Sequence, residues 1–406
     1  MDKIISTLPS PIDRGGRTGV TRGGEKITVR PNSGDTVIVK VFKTVVDPFI
    51  GKLNFIKVMS GTLKPDMTLN NATKGTQEKI SALYFIRGKK QDKADEIVAG
   101  DMGALAKLNN VSTGDVLCQG TAITFKPVEI PALVYSMAIS VNKKEDIDKL
   151  FDGLKKLMDE DISFKVTQNP ETGETMLSGV GEMQLALICK KLKSKFGCEA
   201  VLNAPKIAYR ETIRKRAEAE GKHKKQTGGA GQYGHCKVRF EPGAEDGIYQ
   251  FVDEVVGGAI PNNFIPAVDL GLREAAKEGV LAGYPMVNLK CTVYDGSYHP
   301  VDSKEIAFVS AAKLAYQAGI LNASPCILEP IMQLGDMNKR RGRIIGTDVV
   351  DGKAIVTAEA PQAEIMRYAT DLRSMTQGRG KYSVQFARYE EVPANIQEKI
   401  VANSKK

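Results

Sequence analysis

The chain has no tryptophan and three histidines, and its six cysteines stand singly at 118, 189, 198, 236, 291 and 326. Without a C-x-x-C pair there is no zinc ribbon and no dithiol redox motif, so the cysteines read as buried thiols of a reducing compartment. His235 and Cys236 are neighbours. On a strand they would point to opposite faces and could not share an ion, so no metal is assigned. No apolar run approaches the ~20 residues of a membrane helix and no signal-peptide pattern opens the chain. The expectation is a cytoplasmic protein with no membrane partner. A phosphate-binding G-x-x-x-x-G-K-[ST] loop is also missing: Gly51-Lys52, Gly221-Lys222, Gly352-Lys353 and Gly380-Lys381 each fail the glycine spacing or the final hydroxyl. No nucleophile elbow or paired-carboxylate motif stands out. An enzyme working through His235, Cys236 or His299 lacks the spacing such chemistry needs, so no catalytic residue is named.

What is present is a modest basic excess. Fifty-seven Lys and Arg against 48 Asp and Glu give a net charge of +9 over 406 residues, a length that calls for two to four domains. The excess points to a polyanionic partner, and its clustering says more. Eight Lys and Arg against three Glu lie between 206 and 225, and a second cluster is Lys339-Arg340-Arg341-Gly342-Arg343. The first runs into Lys222-His-Lys-Lys-Gln-Thr-Gly-Gly-Ala-Gly-Gln-Tyr-Gly-His235. After the glycines, Cys236, Val238 and Phe240 alternate with His235, Lys237 and Arg239, the period of a half-buried strand. The glycines are expected to form a mobile, exposed bend. Gly229-x-Gly231-x-x-Gly234 spells a dinucleotide fingerprint, but a charged run precedes it and a strand follows, where the fingerprint needs a strand and then a helix. A cationic, glycine-rich loop bearing a tyrosine can instead meet a phosphate backbone and a base together. A second exposed loop is Asp295-Gly-Ser-Tyr-His-Pro-Val-Asp302. The RNA-binding candidates are therefore Lys224, Lys225, Gly228, Gly229, Gly231, Gln232, Tyr233, Gly234, His235, Gly296, Ser297, Tyr298, His299, Asp302, Arg340 and Arg341. The plain alternatives are an inert hairpin, an ordinary strand-to-helix connection and two solvated faces.

Taken in order, residues 1–31 are glycine, arginine and proline punctuation and read as a linker. From 32 to 125, short β-branched runs at 36–42 and 53–59, separated by turn signals, predict a closed β-barrel. Residues 126–205 read β-α-β-β-α-β, the ferredoxin-like order. One helix carries Ile147, Leu150, Phe151, Leu154, Leu157 and Met158, and the second carries Leu185, Ile188, Leu192 and Phe196. Residues 206–324 hold both loops, helices at 265–281 and 303–318, and a strand at 287–294. Asp302 is placed to cap the second helix, with Glu305 completing a capping box. Residues 325–406 read as a second ferredoxin-like domain, short at its start, with Pro361 opening a helix and a closing strand at 382–387. The fold class is multidomain α+β.

These stretches together resemble bacterial elongation factor G, the ribosomal translocase, across nearly the whole chain after the linker. The likeness is carried by Val41-Phe-Lys…Asp47-Pro…Gly51-Lys-Leu-Asn-Phe, Gly179-Val-Gly-Glu-Met-Gln-Leu185, Tyr209-Arg-Glu-Thr212 and Lys225-Gln-Thr-Gly-Gly…Gly-Gln-Tyr-Gly234. It continues in Asp295-Gly-Ser-Tyr-His299, Val301-Asp-Ser303, Leu328-Glu-Pro330, Arg340-Arg-Gly342, Thr376-Gln-Gly-Arg-Gly380 and Val392-Pro393. The resemblance implies a five-domain GTPase of which this chain carries the second to fifth. Leu8-Pro-Ser-Pro-Ile-Asp13 looks like the family's exit from the nucleotide domain. GTP and magnesium would belong to that domain, with no cofactor in this chain. Residues 32–125 would be the translation-factor barrel and 206–324 an arm resembling ribosomal protein S5 domain 2, whose tip loops at 228–235 and 295–302 enter the decoding site. Implied partners are the ribosome, through ribosomal RNA, tRNA in the decoding region and the large-subunit factor-binding site, engaged by a monomer. The family usually has an arginine where this chain has Ala230, which leaves open a factor-G-like paralogue serving ribosome protection, recycling or rescue. A stand-alone RNA-binding protein without GTPase activity is the other alternative.

Overall fold

The computed structural model describes residues 2–47, 51–88, 90–108, 110–226, 231–244, 249–334, 341–350 and 353–404. The chain divides into two units, 1–205 and 206–406.

The first unit is built on the pairing of Ile38–Asp47 with Gly51–Ser60. Both strands are rich in Val and Ile, and Val39, Val41, Ile56 and Val58 are fully buried. Eight antiparallel strands form one path, in the order Gln77–Lys79, Thr68–Asn71, Val116–Cys118, Ile38–Asp47, Gly51–Ser60, Met102–Ala106, Leu83–Arg87 and Lys90–Ala94. Leu69 near one end and Ala94 at the other share a core with Val39, Ile56 and Leu105, so the sheet curls upon itself. The ladders among the described residues leave that path open rather than ringed.

Residues 17–29 are not the linker that their composition suggested. Arg17–Thr21 pairs with Lys26–Val29 on one side and Ile123–Phe125 on the other. Val29 and Ile123 join Ile38, Met59, Val116 and Cys118 in a second apolar cluster. Burial of that edge holds a glycine-rich hairpin that has little apolar pattern of its own.

The ferredoxin-like part has the sheet order Lys165–Gln168, Thr175–Gly179, Tyr135–Val141, Ala200–Asn203. Helix Ile147–Glu160 buries Leu150, Leu154 and Leu157. Ile147 and Phe151, predicted on the same face, remain exposed. Helix Glu182–Phe196 buries Leu185, Ile188 and Leu192 and ends at Gly197 in the left-handed region, φ 64°, where glycine carries no steric cost.

In the second unit, the arm sheet runs Ala217–Lys225, Gln232–Pro242, Leu289–Ser297, Tyr249–Asp253. Its last pair is parallel and is joined by the crossover helix Ile265–Ala276. Cys236, Val238 and Phe240 are fully buried as their alternation predicted, and they pack with Val268, Leu272, Cys291, Val293, Phe308 and Tyr316. Helix Glu305–Asn322 lies on the first two strands, its buried face rich in small residues: Ala307, Ala311, Ala312, Ala315 and Gly319. The approach is backbone to backbone. A Cβ on Gly221 would sit 1.9 Å from the Ala311 carbonyl oxygen, and one on Gly234 would sit 2.4 Å from that of Ala307.

The arm is rooted by Glu211, whose buried carboxylate accepts the N–H groups of Leu281, Ala282 and Tyr284 at 2.9, 2.8 and 3.2 Å. Its strand, Arg210–Ile213, pairs with Pro325–Leu334 of the following sheet. There, Arg343–Val350, Lys353–Pro361, Pro325–Leu334 and Gln385–Glu391 lie side by side, the same order as in the first ferredoxin-like part. Only 335–342 separate its first two strands, against a whole helix in the earlier copy; this is the shortness expected at its start. Pro361 ends a strand and precedes helix Gln362–Ile365. The closing strand begins at Gln385, and Tyr382 instead packs edge-on against buried Tyr368, 5.1 Å between ring centroids.

Candidate nucleic-acid interface

The two predicted loops converge, but much of each is strand. Gln232, Tyr233, Gly234 and His235 open the Gln232–Pro242 strand, and Gly296 and Ser297 close the Leu289–Ser297 strand. His235 pairs with Ser297 and Cys236 with Gly296. Gly234 and Gly296 therefore serve close approach rather than mobility: a Cβ on Gly296 would fall 2.4 Å from the His235 carbonyl oxygen. Gly228 and Gly229 lie outside the described residues, as does Arg340.

Ser297 is a hub. Its Oγ lies 2.8 Å from the Tyr233 hydroxyl and 2.7 Å from His235 Nδ1. His235 Nε2 is 3.1 Å from Glu220 Oε1, at an angle that makes no hydrogen bond. Across the hairpin, His223 Nε2 and Gln232 Oε1 are 3.0 Å apart, and Lys222 Nζ stands 6.0 Å from the Tyr233 ring centroid.

The second segment is stitched to the first through Asp302 and Ser303. The Asp302 carbonyl accepts the Tyr233 N–H at 3.0 Å, and its Oδ1 accepts the Gly231 N–H at 3.1 Å. Ser303 Oγ donates to the Tyr233 carbonyl at 2.9 Å and accepts the His299 N–H at 2.8 Å. Asp302 is thus no helix cap. That position falls to Lys304, which makes no side-chain cap. His299 Nδ1 accepts the N–H groups of Val301 and Asp302 at 3.3 and 3.2 Å. A neutral ring so held carries its proton on Nε2, as a donor on the half-exposed edge of the side chain. Tyr298 is exposed beside it.

Charge changes along this sheet. On its outer face cations meet carboxylates: Arg216 and Arg239 hold Glu218 at 2.7 and 3.1 Å, and Lys237 holds Asp295 at 2.8 Å. The carboxyls of Glu218 and Asp295 are drawn below their usual range by those hydrogen bonds. Toward the tip the pairing stops. Lys222, Lys224 and Lys225 are exposed and face no carboxylate among the described residues. Arg341 sits elsewhere, in the C-terminal sheet domain. It grips buried Glu329 with two bonds of 2.7 and 3.1 Å and Glu364 with one of 3.0 Å. Its charge is met within the fold by these two carboxylates, unlike the lysines of the tip.

Glu220, Lys222, His223 and Ser303 are not among the RNA-binding candidates read from the sequence. Ser303 closes the Val301-Asp-Ser303 motif, but its value lies in a contact to Tyr233, 70 positions away. Among the described residues no group of three His, Cys, Asp or Glu could hold a metal ion, and no helix is long and apolar enough to cross a membrane.

Four family models match in succession: elongation factor G domain 2 over 36–120, domain III over 130–204, domain IV over 205–324 and the C-terminus over 326–400. The chain belongs to the elongation factor G family. The tip described above falls wholly within the factor G domain IV match. The factor G chain is also similar to a crystal structure from Thermus thermophilus, with 36% identity and a TM-score of 0.76; the match covers all of this chain and 60% of that one. The chain is therefore built from successive domains of the elongation factor G family, in a multidomain α+β architecture.

Proposed function

We propose that this chain is the ribosome-facing part of a factor G-type GTPase that promotes movement of tRNA and mRNA, with the arm tip as its RNA contact. The observation that carries this reading is the change in charge along the arm. The shaft pairs its cations with carboxylates, while Lys222, Lys224 and Lys225 face no carboxylate among the described residues and lie near Tyr233 and the outward donor of His299. Cations without internal partners are the ones able to replace counterions on a phosphate backbone, and the aromatic and imidazole groups can meet bases or 2′-hydroxyls. No covalent step is asked of the tip; it acts by occupying space and by charge. The sequence has no phosphate loop, so GTP and magnesium would be held by the family's nucleotide domain, and the activity of the whole factor would depend on it.

The test is toeprinting with a full-length factor. Gly231→Pro removes the N–H that Asp302 accepts, and His299→Ala removes the outward donor. Both variants are expected to lose translocation while keeping nucleotide binding. Normal translocation by both refutes the assignment of the tip. Ala230, where the family usually has arginine, favours a second reading as a factor-G-like paralogue. Failure of the full-length gene to complement a translocase-depleted strain would support it.

A further inference from the structure

Lys40 and Lys57 lie directly opposite each other on the antiparallel strands Ile38–Asp47 and Gly51–Ser60. Like charges so placed repel. Arg17 lines the same cavity as both lysines, and Arg14 lines a smaller adjoining one of about 240 Å³ that also contains Arg17 and Lys57. None of these four cations has an ion pair among the described residues. Burial, and then the charge of Arg17, lower the pKa of Lys40, as expected where positive charge is unrelieved. Asp115 also borders the larger cavity, but its carboxylate is occupied by Asn71, Lys74 and the Ser112 N–H.

The larger cavity, about 670 Å³, has an apolar lining that includes Phe42, Met59, Met102, Phe125 and Ile130. Phe42 and Met102 are roughly half exposed, and Lys40 Nζ stands 5.8 Å from the Phe125 ring centroid. Cations that repel one another at the mouth of an apolar hollow are costly for the empty protein and favourable for one kind of occupant, an anion with an apolar body.

We propose that this cavity binds a phosphomonoester with an aromatic or aliphatic body, its phosphate between Arg14, Arg17, Lys40 and Lys57 and its body against Phe42, Met102 and Phe125. A dianionic phosphate suits two arginines and two lysines better than a single carboxylate does. A polynucleotide phosphate would meet the cations but leave the apolar floor empty. The site draws only on residues of the first unit and does not depend on the tip's assignment.

Calorimetric titration of the whole chain tests it, with AMP and decyl phosphate as the aromatic and aliphatic probes. Adenosine, decanol, inorganic phosphate and a short single-stranded RNA are the comparisons. At least one phosphomonoester is expected to saturate below about 1 mM, with its neutral counterpart and inorganic phosphate each about ten-fold weaker. Lys40→Met and Lys57→Met should each weaken the better probe about ten-fold while the free chain melts no lower than wild type, because each relieves repulsion. Failure of both phosphomonoesters to saturate overturns the proposal. So does equal binding by the neutral counterpart, unchanged affinity in a chain carrying both Lys40→Met and Lys57→Met, or binding of RNA that neither phosphomonoester displaces. The comparison of phosphorylated and neutral probes uses the unmodified chain, so it decides the matter even if a variant folds poorly.

Discussion

The Asp302 carboxylate accepts the Gly231 N–H at 3.1 Å and occupies the space that a side chain at 231 would fill, since a Cβ there would come within 2.7 Å of Asp302 Cγ. Residues 71 positions apart are thereby locked at one point of the tip. A charge-assisted hydrogen bond of this kind contributes about 1.5–3 kcal/mol when its partners are shielded, and less at a half-exposed site. Asp302→Ala should therefore loosen the tip without unfolding the arm. Amide exchange at Gly231 is expected to accelerate about ten-fold, while amides of Val238 and Phe240 in the core keep their protection. Equal exchange at Gly231 in the variant and the wild type would show that the bond does not order the tip.

Gly221 and Gly234 make a different prediction, about the shaft. Helix Glu305–Asn322 can rest on the hairpin only because these two positions lack a Cβ, the first being 1.9 Å from a helix carbonyl. Both obstacles are backbone atoms, which cannot swing aside as a side-chain end can. Gly221→Ala and Gly234→Ala should each destabilise the chain by about 1–3 kcal/mol or more, the usual cost of overpacking a close contact. Gly346→Ala is the control, since nothing lies within 4 Å of its added carbon. Urea unfolding followed by far-UV circular dichroism checks the contrast, and equal midpoints for Gly221→Ala and Gly346→Ala would contradict it.

How much of this was legible follows from which interactions are local. The alternation of Cys236, Val238 and Phe240 gave a strand because period two is fixed by the pleat, and each of those side chains is indeed fully buried. The convergence of the two candidate segments came with the family resemblance rather than from spacing. Asp302 stands where a nearby helix offers an obvious local role, while its real partner lies across the sheet. The glycines showed that a Cβ was missing but not whose backbone needed the room. Arg341 showed its charge but not Glu329 and Glu364, which claim it. The hairpin at 17–29 escaped because its pairing partner, Ile123–Phe125, comes about a hundred residues later.

The buried acids predict an alkaline limit to stability. Burial, helped by the charge of Glu329, pushes Tyr209 up to about 12, and burial pushes Tyr382 and the Cys236 thiol up to about 12 as well. Each is neutral when protonated, so the fold disfavours its ionised form. Unfolded, a thiol ionises near pH 8.5 and a tyrosine near pH 10. Below those values both states are protonated and these groups leave stability unchanged. As pH rises from about 9 toward 12 the unfolded chain loses protons that the folded chain retains, and stability falls. The urea midpoint should hold steady from pH 7 to about 8.5 and then decline, with Tyr209→Phe flattening the upper part of the decline. In the native chain below pH 9, Cys236 and Cys291 should resist alkylation that reaches all six cysteines after denaturation. Rapid native labelling of Cys236 would mean that the sheet and helix covering it open far more readily than their packing implies.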